Sequence, residues 1–122
     1  MDPKLRSQLQ ATFRSNVFDI LRIIASKDEQ LEWQKNVPYA AVSDELFCHW
    51  ESDYQDVQGQ MWFIDAFTAE ELKLLHSFDE CLESVATRTP QTLPFNEDFV
   101  LTSEWRELNS AAARTLARLK DC

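Results

Sequence analysis

Glycine is nearly absent from this sequence: Gly59 is the only one among 122 residues. Loops that cradle phosphates, and the fingerprints that hold dinucleotides, need several glycines at fixed offsets so that backbone can approach the phosphates closely. Neither can be written here. Cysteine is scarce and odd in number. Cys48, Cys81 and Cys122 lie far apart with no CxxC pairing, which fits free thiols in a reducing compartment better than a disulfide framework. Long apolar runs are missing too, and nothing approaches the roughly 18 residues of a membrane span. The opening MDPKLRSQLQATFRSN carries charges where a secretory signal would need an uninterrupted apolar stretch. The expected location is therefore cytoplasmic. Bases are the last shortage. Twelve Lys and Arg against 21 Asp and Glu leave a net charge of −9 and a pI near 4.6, a poor match to a nucleic-acid backbone.

What is present is enough to fold. Hydrophobic residues make up 44% and aromatics 11%, so a core can be buried despite the charge. The length suits one domain spanning 1–122 rather than two small cores.

Apolar spacing reads as helix almost everywhere. Asp2 and Pro3 supply an N-cap and a first-turn proline. From there Leu5, Leu9, Phe13, Val17, Ile20, Leu21 and Ile24 recur every three or four residues, as the stripe of an amphipathic helix does. Ser26 with Glu29 matches a capping box and predicts a short second helix through Leu31 and Trp33. Pro38 marks a break. Val42, Leu46 and Trp50 then fall at i, i+4 and i+8, with Asp44 and Glu45 placed where a helix dipole favours acids. The polar stretch from Asp53 to Gln60 reads as a loop. Met61 to Ile64 reads as a buried connector, with a strand as the alternative. Thr68 and Glu71 form another capping box and open a helix through Leu72, Leu75, Phe78, Leu82 and Val85. Residues 87–101, with Pro90 and Pro94, have no period and are expected to be a loop laid over the core by Leu93, Phe95 and Phe99. A last helix begins near Ser103, with Trp105, Leu108, Ala112, Leu116 and Leu119 on one face. The expected architecture is all-α: a single compact bundle of about five helices with one long proline-containing loop.

The charge is concentrated. Residues 1–35 sum to +1 and residues 88–122 to zero, whereas residues 36–87 hold eleven acids against Lys73 alone. One reading is that these acids only solvate the outer faces of two helices and a loop, which aids solubility. A negative field also speeds association with a basic partner and rejects wrong ones. The candidate partner-binding residues are Asp44, Glu45, Trp50, Glu51, Asp53, Tyr54, Asp56 and Asp65, because aromatics beside charges are what a docking surface tends to hold. Trp50 equally fits the core, the commoner fate of an i+8 apolar position.

Chemistry finds little footing. Glu45, His49 and Asp53 share one helix face, and His76 with Glu80 forms a similar pair. One histidine among carboxylates falls short of the ligand sets of structural or catalytic zinc, and an i,i+4 ion pair is the better account. Neither histidine has a glutamate three residues before it, as a di-iron bundle would require. Cys48 and His49, adjacent on a helix, point about 100° apart. No catalytic residue, cofactor or metal is expected, and a binding protein is a better reading than an enzyme.

Three blocks, SDELFCHWESDY at 43–54, FTAEELKLLHSFDECLESV at 67–85 and LTSEWRELNSAAARTLARL at 101–119, resemble the pattern of small acidic immunity proteins encoded beside bacterial polymorphic toxins, those of contact-dependent growth-inhibition systems among them. The resemblance implies a pre-folded cytoplasmic inhibitor that covers a basic toxin surface, often a nuclease cleft, without cofactor or catalytic residue. It assigns no site residue by position, since such families diverge at the binding face. Two alternatives differ in what they need. A secretion chaperone or adaptor would show apolar grooves and a homodimer. A DNA-mimic inhibitor would set its carboxylates in regular rows.

Overall fold

A computed structural model describes residues 2–37, 42–88 and 100–120. Every regular element among them is helical. Helix α1 (Pro3–Ile24) starts at Asp2, whose side chain accepts the Lys4 N–H at 3.4 Å. Its inward stripe is buried only from Val17 onward. Leu5 is left 47% exposed and Leu9 half-buried, because the first two turns run past the core.

Helix α2 (Lys27–Asn36) is capped as its sequence predicts, Ser26 Oγ accepting the Glu29 N–H at 3.2 Å. The buried face is not the predicted one. Gln30 and Gln34 are buried, while Leu31 and Trp33 are half-buried. The reason lies in the backbone of α1. A helix end leaves carbonyls without partners, and the Gln30 amide donates to Ile23 O and Ile24 O, both at 3.2 Å, while its Oε1 accepts the Trp105 indole N–H at 3.0 Å. Asn109 adds a donor to Ile24 O at 2.9 Å. Side-chain amides thus close α1 where many helices use a left-handed glycine. No described residue has a positive φ.

Helix α3 (Val42–Trp50) buries Val42, Leu46 and Trp50 completely, the expected face. The chain does not then loosen at Asp53. Residues Glu51–Gln55 continue the helix as a wide π turn, in which the Asp56 N–H reaches back to Glu51 O at 2.8 Å. Tyr54 holds the turn in place, buried and stacked on Trp50 at 4.7 Å between ring centroids. The loop is therefore shorter than the reading from Asp53 to Gln60. Met61–Ile64 is a single helical turn, α4, rather than a strand. It buries Phe63 and leaves Met61 64% exposed.

Helix α5 (Ala69–Arg88) opens with a reciprocal cap: the Glu71 N–H to Thr68 Oγ1 at 3.1 Å, and the Thr68 N–H to Glu71 Oε1 at 2.8 Å. Leu74 joins Leu75, Phe78, Leu82 and Val85 on its inner face. Helix α6 (Ser103–Lys120) is capped by Thr102 Oγ1, which accepts the Trp105 N–H at 3.1 Å. Ala111 and Ala112 lie buried along its inner face, between Leu108 and Leu119. Helix α6 packs mainly on α5 and α1, and α1 also meets α2, α3 and α4. One hydrophobic cluster joins residues of α1, α3, α4, α5 and α6. The architecture is the expected all-α bundle. Pro90, Pro94, Leu93, Phe95 and Phe99 of the expected proline loop lie outside the described residues.

Candidate functional site

The candidate surface is assembled from α3 and its π-turn extension. Asp44, Glu51 and Asp56 are exposed, and Glu45 is half-buried. Asp44, Glu45 and Glu51 all act on one thiol: burial raises the pKa of Cys48 above its ordinary value, and the three carboxylates raise it further. They share a neighbourhood in space as well as in sequence. Glu45, His49 and Asp53 line up on the adjoining strip, with His49 Nε2 3.8 Å from Glu45 and Nδ1 4.0 Å from Asp53. The His49 ring meets the Trp33 indole of α2 edge-on at 5.6 Å. Asp53 itself is drawn inward beside Asn16 of α1, at 3.4 Å. Burial pushes its carboxyl pKa up, against the opposing pull of His49 and the Asn16 hydrogen bond.

Trp50 and Tyr54 are not part of this surface. Trp50 is fully buried and Tyr54 is 3% exposed. The Trp50 indole donates to Asp79 Oδ1 of α5 at 2.9 Å, and its ring packs on Phe78 at 4.8 Å. Gln55 donates to the same Asp79 oxygen at 2.8 Å. Burial, with the Asp79 charge, pushes the Tyr54 hydroxyl pKa to about 12. These aromatics fasten the acidic turn to α5 instead of offering themselves to a partner, because the i, i+4 spacing that puts them beside the acids also turns them inward.

Asp65 is also separate. It pairs with Arg6 in the opening turns of α1, whereas Asp53 touches Asn16, ten residues further on, or roughly 15 Å along the helix axis. Glu71, another acid of the 36–87 segment, is occupied as well: Arg14 grips it with two hydrogen bonds, at 2.7 and 3.0 Å. The acids brought together on this face are Asp44, Glu45, Glu51 and Asp53, with exposed Asp56 following at the end of the π turn.

The sequence did not single out the α1 and α2 side of this region. Asn16, Asp19 and Trp33 line a cleft beside His49 and Asp53. Their one sequence signal is that Asn16 and Asp19 stand three apart on a helix. Their meeting with residue 53 depends on how α1 crosses the π turn, which periodicity does not encode.

Among the described residues no group of three or more His, Cys, Asp or Glu side chains is placed to hold a metal ion. His76 and Glu80 form an exposed i,i+4 pair at 2.9 Å. Cys48 and Cys81 are unbridged, and burial raises the pKa of both, the opposite of an activated thiolate. No described helix is long and apolar enough to cross a membrane.

The described residues form an all-α bundle, and α3 with its π turn carries an acidic strip. No family model matches the chain, and neither curated proteins nor solved structures give a match.

Proposed function

We propose that this protein is an immunity-type inhibitor: a cytoplasmic, cofactor-free binding protein that neutralises a cognate bacterial toxin by docking an acidic strip onto a basic surface, that of a nuclease being the natural fit. The observation that carries the reading is the grouping of Asp44, Glu45 and Glu51 around Cys48, with Asp53 beside them. The strip is built on a helix that Trp50, Tyr54 and Asp79 anchor to the core, so it is presented ready-formed and loses little freedom on binding.

Capture from the native host, followed by stopped-flow association with the captured partner, tests the reading. A toxin domain is expected, with an association rate that falls about tenfold or more between 20 and 300 mM salt, as steered encounters do. Asp44→Lys with Glu51→Lys should slow association further while leaving the helical signal unchanged. An unaltered rate in that double variant removes the strip from the interface. A partner that is an extended secretion client, bound by a dimer of this chain, would replace the immunity reading with the adaptor one.

A further inference from the structure

The cleft between α1, α2 and the start of the π turn has a volume of about 480 Å³ and two kinds of wall. Ile20, Ile23 and Trp33 form the apolar side. Asp19, His49 and Asp53 stand on the polar side, and no Lys or Arg lines it. The nearest base to Asp19 is Arg22, at 3.8 Å and closer to Glu29 than to Asp19.

Asp53 is the informative member. Its side chain is 14% exposed, yet its closest donors are Asn16 Nδ2 at 3.4 Å and His49 Nδ1 at 4.0 Å. Charge-assisted bonds to carboxylate run about 2.7–2.9 Å. Two other carboxylates drawn into the structure are met at such distances. Glu71 accepts from Arg14 at 2.7 Å and from the Thr68 N–H at 2.8 Å, and Asp79 accepts from Trp50 and Gln55 at 2.9 and 2.8 Å. Asp53 thus keeps acceptor capacity facing a cleft with an indole wall.

An occupant that satisfies both walls has a cationic, donor-rich head and an apolar stem. Arginine answers this better than lysine. Its guanidinium is planar, weakly hydrated, stacks on aromatic faces and offers several donors at fixed angles. We propose that the cleft is the receptacle for one arginine side chain of the basic partner, its guanidinium on Asp53 with Asp19 at the rim, its stem against Trp33 and Ile23. This rests on the docking reading above and adds a specific anchor to it, in the manner of interface hot spots.

The test uses the whole chain and a probe that needs no toxin: the capped tripeptide acetyl-Gly-Arg-Gly-amide, against the same peptide with neutral, isosteric citrulline. Titration is followed by the ¹⁵N–¹H resonances of the Trp33 indole and the His49 and Asp53 amides. A saturable shift confined to these groups is expected, at least about fivefold weaker for citrulline and about fivefold weaker in Asp53→Asn. Circular dichroism establishes that the variant is folded, and Asp19→Asn serves as a second, exposed variant. Equal binding of the two peptides, or shifts that neither saturate nor respond to Asp53→Asn, would overturn the proposal. Because no partner is present, the outcomes separate: a responsive cleft in a protein whose captured partner is not a toxin ends the immunity reading alone. An unresponsive cleft ends this inference and leaves that reading to its own kinetics.

Discussion

Arg14 shows how one residue can join two helices, α1 and α5, and the turn that precedes the second. Its guanidinium hydrogen-bonds Glu71 twice and Ala66 O once, at 3.0 Å, and lies 5.1 Å from the ring centres of both Phe18 and Phe67. Lysine cannot reproduce that fork, so Arg14→Lys is not conservative here. Arg14→Ala leaves Glu71 buried without its cation and should cost about 2–3 kcal/mol in urea unfolding, below the range for a fully buried pair because Arg14 is partly solvated. The Arg14 hydrogen bond, foremost, holds the Glu71 carboxyl pKa below its usual 4.5. A depressed folded-state pKa gives stability that is whole above about pH 4.5 and is lost as pH falls through the folded value. In Glu71→Gln that part of the acid-side loss should disappear, as urea midpoints between pH 5 and 3 would show. Asp53 has the opposite sign. Burial, its leading cause, raises its pKa above the usual 3.8, so its contribution favours the fold below that value and is lost as pH rises through the folded value. At neutral pH the ionised group is a cost. Asp53→Asn is expected to raise the melting temperature at pH 7 and, under the proposed function, to weaken docking, the trade that binding residues often show. A lower melting temperature would mean that Asn16 and His49 already satisfy it.

At the scale of elements, the ends matter more than the middles. Gly59 sits in the turn between the π turn and α4, with no positive φ and nothing within 4 Å of where a Cβ would stand. The one glycine is not required by its own geometry. Gly59→Ala should stabilise by about 0.5 kcal/mol, through the entropy of the unfolded chain, a small upward shift in the urea midpoint. What the sequence made legible at this scale was local. Asp2 with Pro3, Ser26 with Glu29, and Thr68 with Glu71 announce their helices because a cap is chemistry between residues two or three apart. The buried face of α2 was illegible, since Gln30 goes inward to serve carbonyls of α1 and the indole of Trp105, 75 residues away. The π turn was hidden behind a polar sequence whose one buried residue is Tyr54. The candidate site divides the same way. Exposed acids could be read from charge counts, but the inward turn of Trp50 and Tyr54 and the arrival of Asp19 and Trp33 beside Asp53 are facts of packing.

For the whole molecule, the net charge of −9 is distributed with a consequence for stability. Internal partners meet Asp65 and Glu71, but Asp44, Glu51 and Asp56 stand exposed with no cation paired to them among the described residues. Such a surface repels itself, and salt should relieve it. The melting temperature is expected to rise by roughly 2–5 °C between 10 and 200 mM sodium chloride, and the double charge reversal at residues 44 and 51 should flatten the dependence. The same ions that steady the free protein would slow its capture of a basic partner.

The wide turn at Glu51–Gln55 carries a last consequence. An i→i+5 bond encloses one residue more than an α turn has room for, so this helix holds an absorbed insertion. Adding one more residue after Glu51 would exceed what the turn can absorb, and everything after it would rotate by about 100°. Tyr54 would leave Trp50, and the carboxylate beside Asn16 would swing away, while Glu45 and His49, before the turn, kept their places. A change in length of a single residue would thus divide the acidic strip in two, re-aiming its second half without altering any side chain in it.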